Sequence, residues 1–167
     1  MQYITKNIDF IYCNKSIHKN NIVLCGDKNY IKYVGVTLTS VLANSNSNEY
    51  HFHIFLDDIE DSDLKKLERT AKKWKTNISI YFIDLEIIEN FKDNTSSNTH
   101  ISIATYFRFI AFSVLNGKVD KALYLDSDIC VLDDKLKNVF DVTFDDAVAY
   151  TICDIKSSVM GGADACC

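Results

Sequence analysis

The chain has 167 residues, of which 47% are hydrophobic, 12% aromatic and 25% charged. That length and balance suit one folded domain with a sizeable core and argue against a disordered or fibrous chain. The formal net charge of −5 argues against a nucleic-acid partner, because a large basic footprint is lacking. It does not forbid an anionic ligand, since a metal ion and local donors can reverse the field at one site.

Residues 1–20 read as an N-terminal arm or an extra edge strand around Phe10-Ile11-Tyr12. Ile22-Val23-Leu24-Cys25 reads as the first core strand, and Gly26-Asp27-Lys28-Asn29 breaks it with turn residues. Tyr30, Val34, Leu38, Val41 and Leu42 then recur at helical spacing, until Asn44 to Asn48 form a polar loop. A helix opening from a strand end can accept a phosphate or a polar base edge. Asp27 could equally be a plain turn or cap residue. No G-x-G-x-x-G fingerprint is present, so a dinucleotide site of that kind is not supported.

Tyr50 to Leu56 reads as a strand with His51 and His53 on one face. Without a third ligand nearby, such a pair is more often a half-exposed sheet face than a metal site. Asp61 to Lys75 has helical period, with Leu64, Leu67, Ala71 and Trp74 inward. Its acidic first turn and basic last turn match the helix dipole. Ile78 to Ile83 reads as a further strand, and Asn94 to Asn98 as a loop.

Ile101 to Leu115 carries a second helical face of Phe107, Ile110, Ala111, Val114 and Leu115. It is the longest apolar run and Arg108 interrupts it, so nothing here is long enough to span a bilayer. Arg108 lies off that face, where a guanidinium can meet a phosphate or carboxylate, or simply a surface carboxylate.

Ala122-Leu123-Tyr124-Leu125 reads as a short buried strand ending in Asp126 and Asp128. Residues i and i+2 of an extended chain share a face, so these carboxylates converge while Ser127 turns away. Like charges that close repel unless a cation neutralises them. Oxygen-only ligands suit Mg²⁺ or Mn²⁺. The alternative is a polar strand end that caps the next turn. Beyond it, Ala147 to Tyr150 could form another strand, and residues 157–167 read as a loose tail.

The six cysteines form no C-x-x-C pair and no zinc-finger spacing. Cys25 and Cys130 flank apolar runs and read as small buried residues. With no signal peptide in view, a reducing cytosol is the expected compartment. Strands alternating with helices imply an α/β fold with a mostly parallel sheet.

Three segments, LCGDKNYIKYVGVTLTSVL, HISIATYFRFIAFSVL and KALYLDSDICVL, taken in this order and spacing, resemble the family 8 glycosyltransferases. The likeness is to bacterial enzymes that add glucose or galactose to the lipopolysaccharide outer core, and it runs from about Ile22 to about Asp154. It implies a GT-A nucleotide-diphospho-sugar transferase fold, Rossmann-like, with residues 21–156 as an incomplete donor-binding domain. It implies UDP-glucose or UDP-galactose as donor, Mn²⁺ or Mg²⁺ as cofactor, a lipopolysaccharide core acceptor and retention at the anomeric carbon.

By the same resemblance Asp27, Asn29 and Tyr30 would hold uracil and ribose, with Cys25, Gly26 and Lys28 lining that slot. His100, Ile101 and Ile103 would lie beside the donor sugar. Arg108 would contact the donor, as would Ser127, and Asp126 and Asp128 would bind the metal. No protein nucleophile is nominated.

Family members continue further, with a third metal ligand, acceptor-side residues and a basic, aromatic segment that docks at the inner face of the inner membrane. The tail MGGADACC does not match that continuation. The expectation is therefore a truncated chain with reduced or no activity. A non-catalytic UDP-sugar-binding module is one alternative. A haloacid-dehalogenase-type phosphatase is another, although that family wants Thr or Val where Cys130 stands and places its D-x-D motif near the chain start.

Overall fold

The computed structural model describes residues 3–13, 20–45, 50–92, 106–144, 147 and 149–151. The elements run in the order β1 (Ile4–Ile11), β2 (Asn20–Gly26), α1 (Ile31–Asn44), β3 (Tyr50–Leu56), α2 (Asp61–Trp74), β4 (Asn77–Ile83), α3 (Leu85–Lys92), α4 (Phe107–Leu115), β5 (Ala122–Tyr124) and α5 (Leu136–Val139). The expected α/β architecture is present.

Five strands form one sheet in the order β1-β4-β3-β2-β5. β2, β3, β4 and β5 are mutually parallel, while β1 pairs antiparallel with β4, Ile11 facing Asn77. The N-terminal segment thus supplies an edge strand. β2 and β3 pair from Asn20 opposite Tyr50 to Gly26 opposite Leu56. β5 pairs with β2 from Asn21 opposite Ala122 to Val23 opposite Tyr124.

Strands β2, β3 and β4 are buried almost throughout because helices cover both faces, which is why apolar residues occupy both faces of each strand. On one face Ile22, Leu24, Phe52, Ile54, Ile78 and Ile80 pack with Val34, Leu38, Val41 and Leu42 of α1 and with Leu67 and Ala71 of α2. On the other, Val23, Cys25, Phe55, Tyr81 and Ile83 pack with Ile88 of α3 and with Phe107, Ile110, Ala111, Val114 and Leu115 of α4. Each fully buried Leu, Ile or Phe contributes about 1.5–3 kcal/mol.

Several local expectations change. Tyr30 is exposed at the N-cap of α1, and Ile31 takes its place in the core. A residue ahead of the first helical turn is not held to the helix's buried stripe. β5 is half-buried rather than buried, being an edge strand with β2 as its described neighbour. Cys130 is exposed, because the chain has left the sheet by then. Residues 147, 149 and 150 belong to no strand.

The sequence reading also passes over α3 and α5. The N-terminus of α3 is marked by Asp84, whose Oδ1 accepts the Glu86 N–H at 3.1 Å, a local cap.

His53 is not half-exposed. It is buried, with Nε2 3.1 Å from Asn21 Oδ1 and Nδ1 3.3 Å from the Tyr81 hydroxyl. His51 stacks on it at 4.1 Å and meets Ser79 Oγ at 2.9 Å. Buried polar groups need such partners, and this network accounts for both rings without a metal. No helix among the described residues is long and apolar enough to cross a membrane.

Candidate functional site

From β2 the chain passes to β3 and then β4 on one side, while β5 lies on the other. The strand order reverses between β2 and β5, and ligands of open α/β sheets bind beyond the carboxyl ends of the strands at such a point. Cys25 and Gly26 end β2 there, and Asp126, Ser127 and Asp128 follow β5.

Each parallel strand is followed by an aspartate: Asp27, Asp57, Asp84 and Asp126. Three accept backbone N–H groups. Asp27 Oδ1 accepts the N–H groups of Asn29 and Tyr30 at 2.8 and 3.0 Å. Asp57 Oδ1 accepts those of Lys28 and Asp58 at 2.8 and 2.7 Å, and Asp84 caps α3 as above. Asp27 and Asp84 make the Asx turns such residues form, while the Asp57 bond to Lys28 ties the end of β3 to the turn after β2.

Asp126 is different. Its Oδ1 accepts the Tyr124 hydroxyl at 2.9 Å and lies 3.7 Å from Arg108 Nη2. The Arg108 guanidinium sits over the Tyr124 ring, 4.8 Å from its centroid, a favourable cation–π placement. Asp128 is exposed and makes no hydrogen bond or ion pair among the described residues.

The two carboxylates do not lie on a continuing strand. β5 ends at Tyr124, and the Ile129 N–H closes a turn onto the Asp126 carbonyl at 3.3 Å. Sheet pairing still reaches Leu125, whose N–H donates to the Val23 carbonyl at 3.1 Å. Ser127 is buried and donates its hydroxyl to the Cys25 carbonyl. Both aspartates are therefore exposed on either side of an inward serine.

The chemistry around this turn is set by burial. The Cys25 thiol is pushed up to about 12, by burial above all; Arg108 pulls it down and Asp126 pushes it up. Cys25 thus stays a neutral thiol and is no nucleophile. The Tyr124 phenol is also raised, first by burial and then by Cys25 and Asp126, with Arg108 opposing. It keeps its proton and remains the donor to Asp126.

Asp27 to Tyr30 and Arg108, from the first turn of α4, lie at the same end of the fold as the acidic turn. Lys28, Asn29 and Tyr30 are exposed. His100, Ile101 and Ile103 lie outside the described residues. Residues passed over in the sequence include Tyr124 and Asp57, together with Thr37, Ser40 and Asn44 of α1. The last three stand three and four residues apart, a polar stripe that helical periodicity could have revealed.

Among the described residues no three His, Cys, Asp or Glu side chains cluster as a metal site. Two exposed carboxylates nevertheless fit Mg²⁺ or Mn²⁺, which keep several waters and take one or two protein carboxylates plus substrate phosphates.

The family profile of Glycosyl transferase family 8 matches residues 21–162. A lipopolysaccharide 1,3-galactosyltransferase of Salmonella typhimurium is 35% identical over 129 residues, covering 77% of this chain and 37% of that protein. The lipopolysaccharide glucosyltransferase WaaO of Escherichia coli K12 is 33% identical over 127 residues, covering 75% and 36%. The chain therefore spans well under half the length of these curated relatives. Among solved structures, the galactosyltransferase LgtC in complex with donor and acceptor sugar analogs aligns at a TM-score of 0.54 and 29% identity, over 71% of this chain and 41% of that one. The fold is of the GT-A glycosyltransferase type.

Proposed function

The chain belongs to glycosyl transferase family 8, and on that premise we propose that it forms the donor site of a hexosyltransferase. The donor is UDP-glucose or UDP-galactose, the acceptor a lipopolysaccharide core oligosaccharide, and transfer proceeds with retention. The relatives support this class but differ in hexose, one being a galactosyltransferase and another a glucosyltransferase. The work belongs to the cytoplasm, where such an acceptor is met at the inner face of the inner membrane.

One observation carries the reading: of the four strand-end aspartates, Asp126 alone turns to a tyrosine hydroxyl and an arginine instead of accepting backbone N–H groups. Its neighbour Asp128 stands exposed beside it.

Asp126 and Asp128 would hold Mn²⁺ or Mg²⁺. That cation supplies Lewis-acid neutralisation of the charge that grows on the departing UDP. Arg108 adds a fixed guanidinium for the phosphates, steadied by the Tyr124 ring. Tyr124 orients Asp126 through its hydroxyl. The Asp27–Tyr30 turn receives the nucleoside, with Asn29 offering polar contacts and Tyr30 an exposed ring, while Cys25 and Gly26 form its floor. His100, Ile101 and Ile103 complete the sugar side of this proposal.

The test is calorimetric titration of UDP with Mn²⁺ in excess and again after chelation. Tight binding with metal, lost on chelation and in Asp126→Asn or Asp128→Asn, is expected. Equal binding in all four conditions overturns the reading. Transfer from either UDP-hexose to core oligosaccharide then separates an active transferase from a module that binds UDP without turnover.

A further inference from the structure

Helix α1 makes two kinds of contact with the proposed site. Its N-terminus opens from the Asp27–Tyr30 turn. Further along, its polar stripe grips the chain that follows the acidic pair. Thr37, fully buried, places Oγ1 2.8 Å from the Ser127 carbonyl and 2.7 Å from the Ile129 carbonyl. Its single hydroxyl proton is shared between two acceptors that flank Asp128 in sequence. Ser40 Oγ accepts the Val131 N–H at 3.0 Å and donates to the Thr37 carbonyl at 2.7 Å. Asn44 Nδ2 donates to the Val131 carbonyl at 2.9 Å and to the Ser40 carbonyl at 3.1 Å.

These bonds hold residues 127–131, a stretch with no strand pairing of its own. Backbone polar groups of such a stretch must be satisfied by side chains where helix and sheet ladders do not reach them. Three polar residues are spent on a helix face whose neighbours Val34, Leu38, Val41 and Leu42 are apolar core. A purely apolar stripe would suffice for helix packing. The polar one adds a fixed register between α1 and the loop.

We infer that Thr37, Ser40 and Asn44 are positioning residues that set the acidic pair against the nucleoside turn, so that base and pyrophosphate are held by one rigid helix. Thr37 contributes most, being buried and placed on either side of Asp128. The inference rests on the reading of Asp126 and Asp128 as the metal-dependent donor site. It adds that their placement is set from α1, not from β5 alone.

The experiment compares uridine, which lacks phosphates, with UDP in the presence and absence of Mn²⁺, by calorimetry. The proteins are the wild-type chain, Thr37→Val, Thr37→Ser and Asn44→Ala. In Thr37→Val the gain in UDP affinity that Mn²⁺ confers should fall at least tenfold, with uridine affinity within twofold of wild type. Thr37→Ser, which keeps the hydroxyl, should restore most of the gain. Asn44→Ala, at an exposed position, should lose about threefold.

A merely structural role would lower melting temperature without separating uridine from UDP. If the wild type shows a metal-dependent gain and Thr37→Val keeps it, the positioning role is overturned while the donor-site reading stands. If the wild type shows no such gain, both fall. Should Thr37→Val fail to fold, Asn44→Ala decides: a reduced gain supports the inference and an unchanged gain overturns it.

Discussion

Replacing Arg108 with alanine separates a donor-binding arginine from one that only balances a surface charge. Its Nη2 lies 3.7 Å from Asp126 Oδ1, and the two side chains are 36% and 59% exposed. Unit charges at that distance attract by roughly 1 kcal/mol in water and about 4–5 kcal/mol at an effective dielectric of 20. With this much exposure, solvent screening and side-chain entropy bring the pair toward the low end, about 0.5–1 kcal/mol. The ring contact with Tyr124 adds about 0.5–1 kcal/mol.

Loss of these two contacts in Arg108→Ala should therefore cost about 1–2 kcal/mol of stability. A charge-assisted bond to phosphate is worth about 1.5–3 kcal/mol, so UDP affinity should fall roughly 10- to 150-fold. Uridine affinity should hardly move. Denaturant melts and calorimetry on the same preparation give both quantities. A stability loss above about 3 kcal/mol with UDP affinity unchanged would refute the reasoning, making Arg108 a structural ion-pair partner.

Two further outcomes are expected. A Cβ at Gly26 would meet Tyr30 Cβ and Val34 Cγ2 at 3.3 Å, so Gly26→Ala should shift the first turn of α1. Stability should fall by about 1 kcal/mol and uridine affinity several-fold; unchanged uridine affinity would remove Gly26 from the proposed slot. Cys25 keeps its proton to about 12 when folded, against an ordinary value of 9.0. A raised folded value means stability that is complete below pH 9 and lost as pH rises toward 12. At pH 10.5 the loss is about 2 kcal/mol. Melts at pH 8 and pH 10.5 should therefore show a shallower decline in Cys25→Ala than in the wild-type chain; equal slopes would contradict it.

The sheet was readable because β2, β3 and β4 are covered on both faces and so carry apolar residues along most of their length. α2 and α4 were readable from their single buried faces. The edge elements were harder. β5 has one described neighbour, and its apolar residues are only half-buried, so composition overstated its burial. α3 and α5 have eight and four residues, too few for periodicity to separate from loop.

At the site, the D-x-D spacing led to two carboxylates converging from one strand face with Ser127 turned away. A turn replaces the strand there, with Asp126 and Asp128 exposed and Ser127 buried between them. What spacing could not reveal was which side chains meet. Tyr124 reads as an ordinary strand residue until its hydroxyl is seen on Asp126. Thr37, Ser40 and Asn44 have partners some 90 residues away, such as the Ser127 and Val131 carbonyls. The reading of His53 as half-exposed failed in the same manner, because its partners Asn21 and Tyr81 come from neighbouring strands.

The most direct test of the account is crystallographic: crystals grown with UDP and Mn²⁺, with anomalous scattering recorded to locate the metal. The account predicts a manganese peak roughly 2.0–2.3 Å from carboxylate oxygens of both Asp126 and Asp128 and in contact with the pyrophosphate. A nucleotide bound elsewhere on the fold, or bound beyond β2 and β5 with no metal at either aspartate, would contradict it.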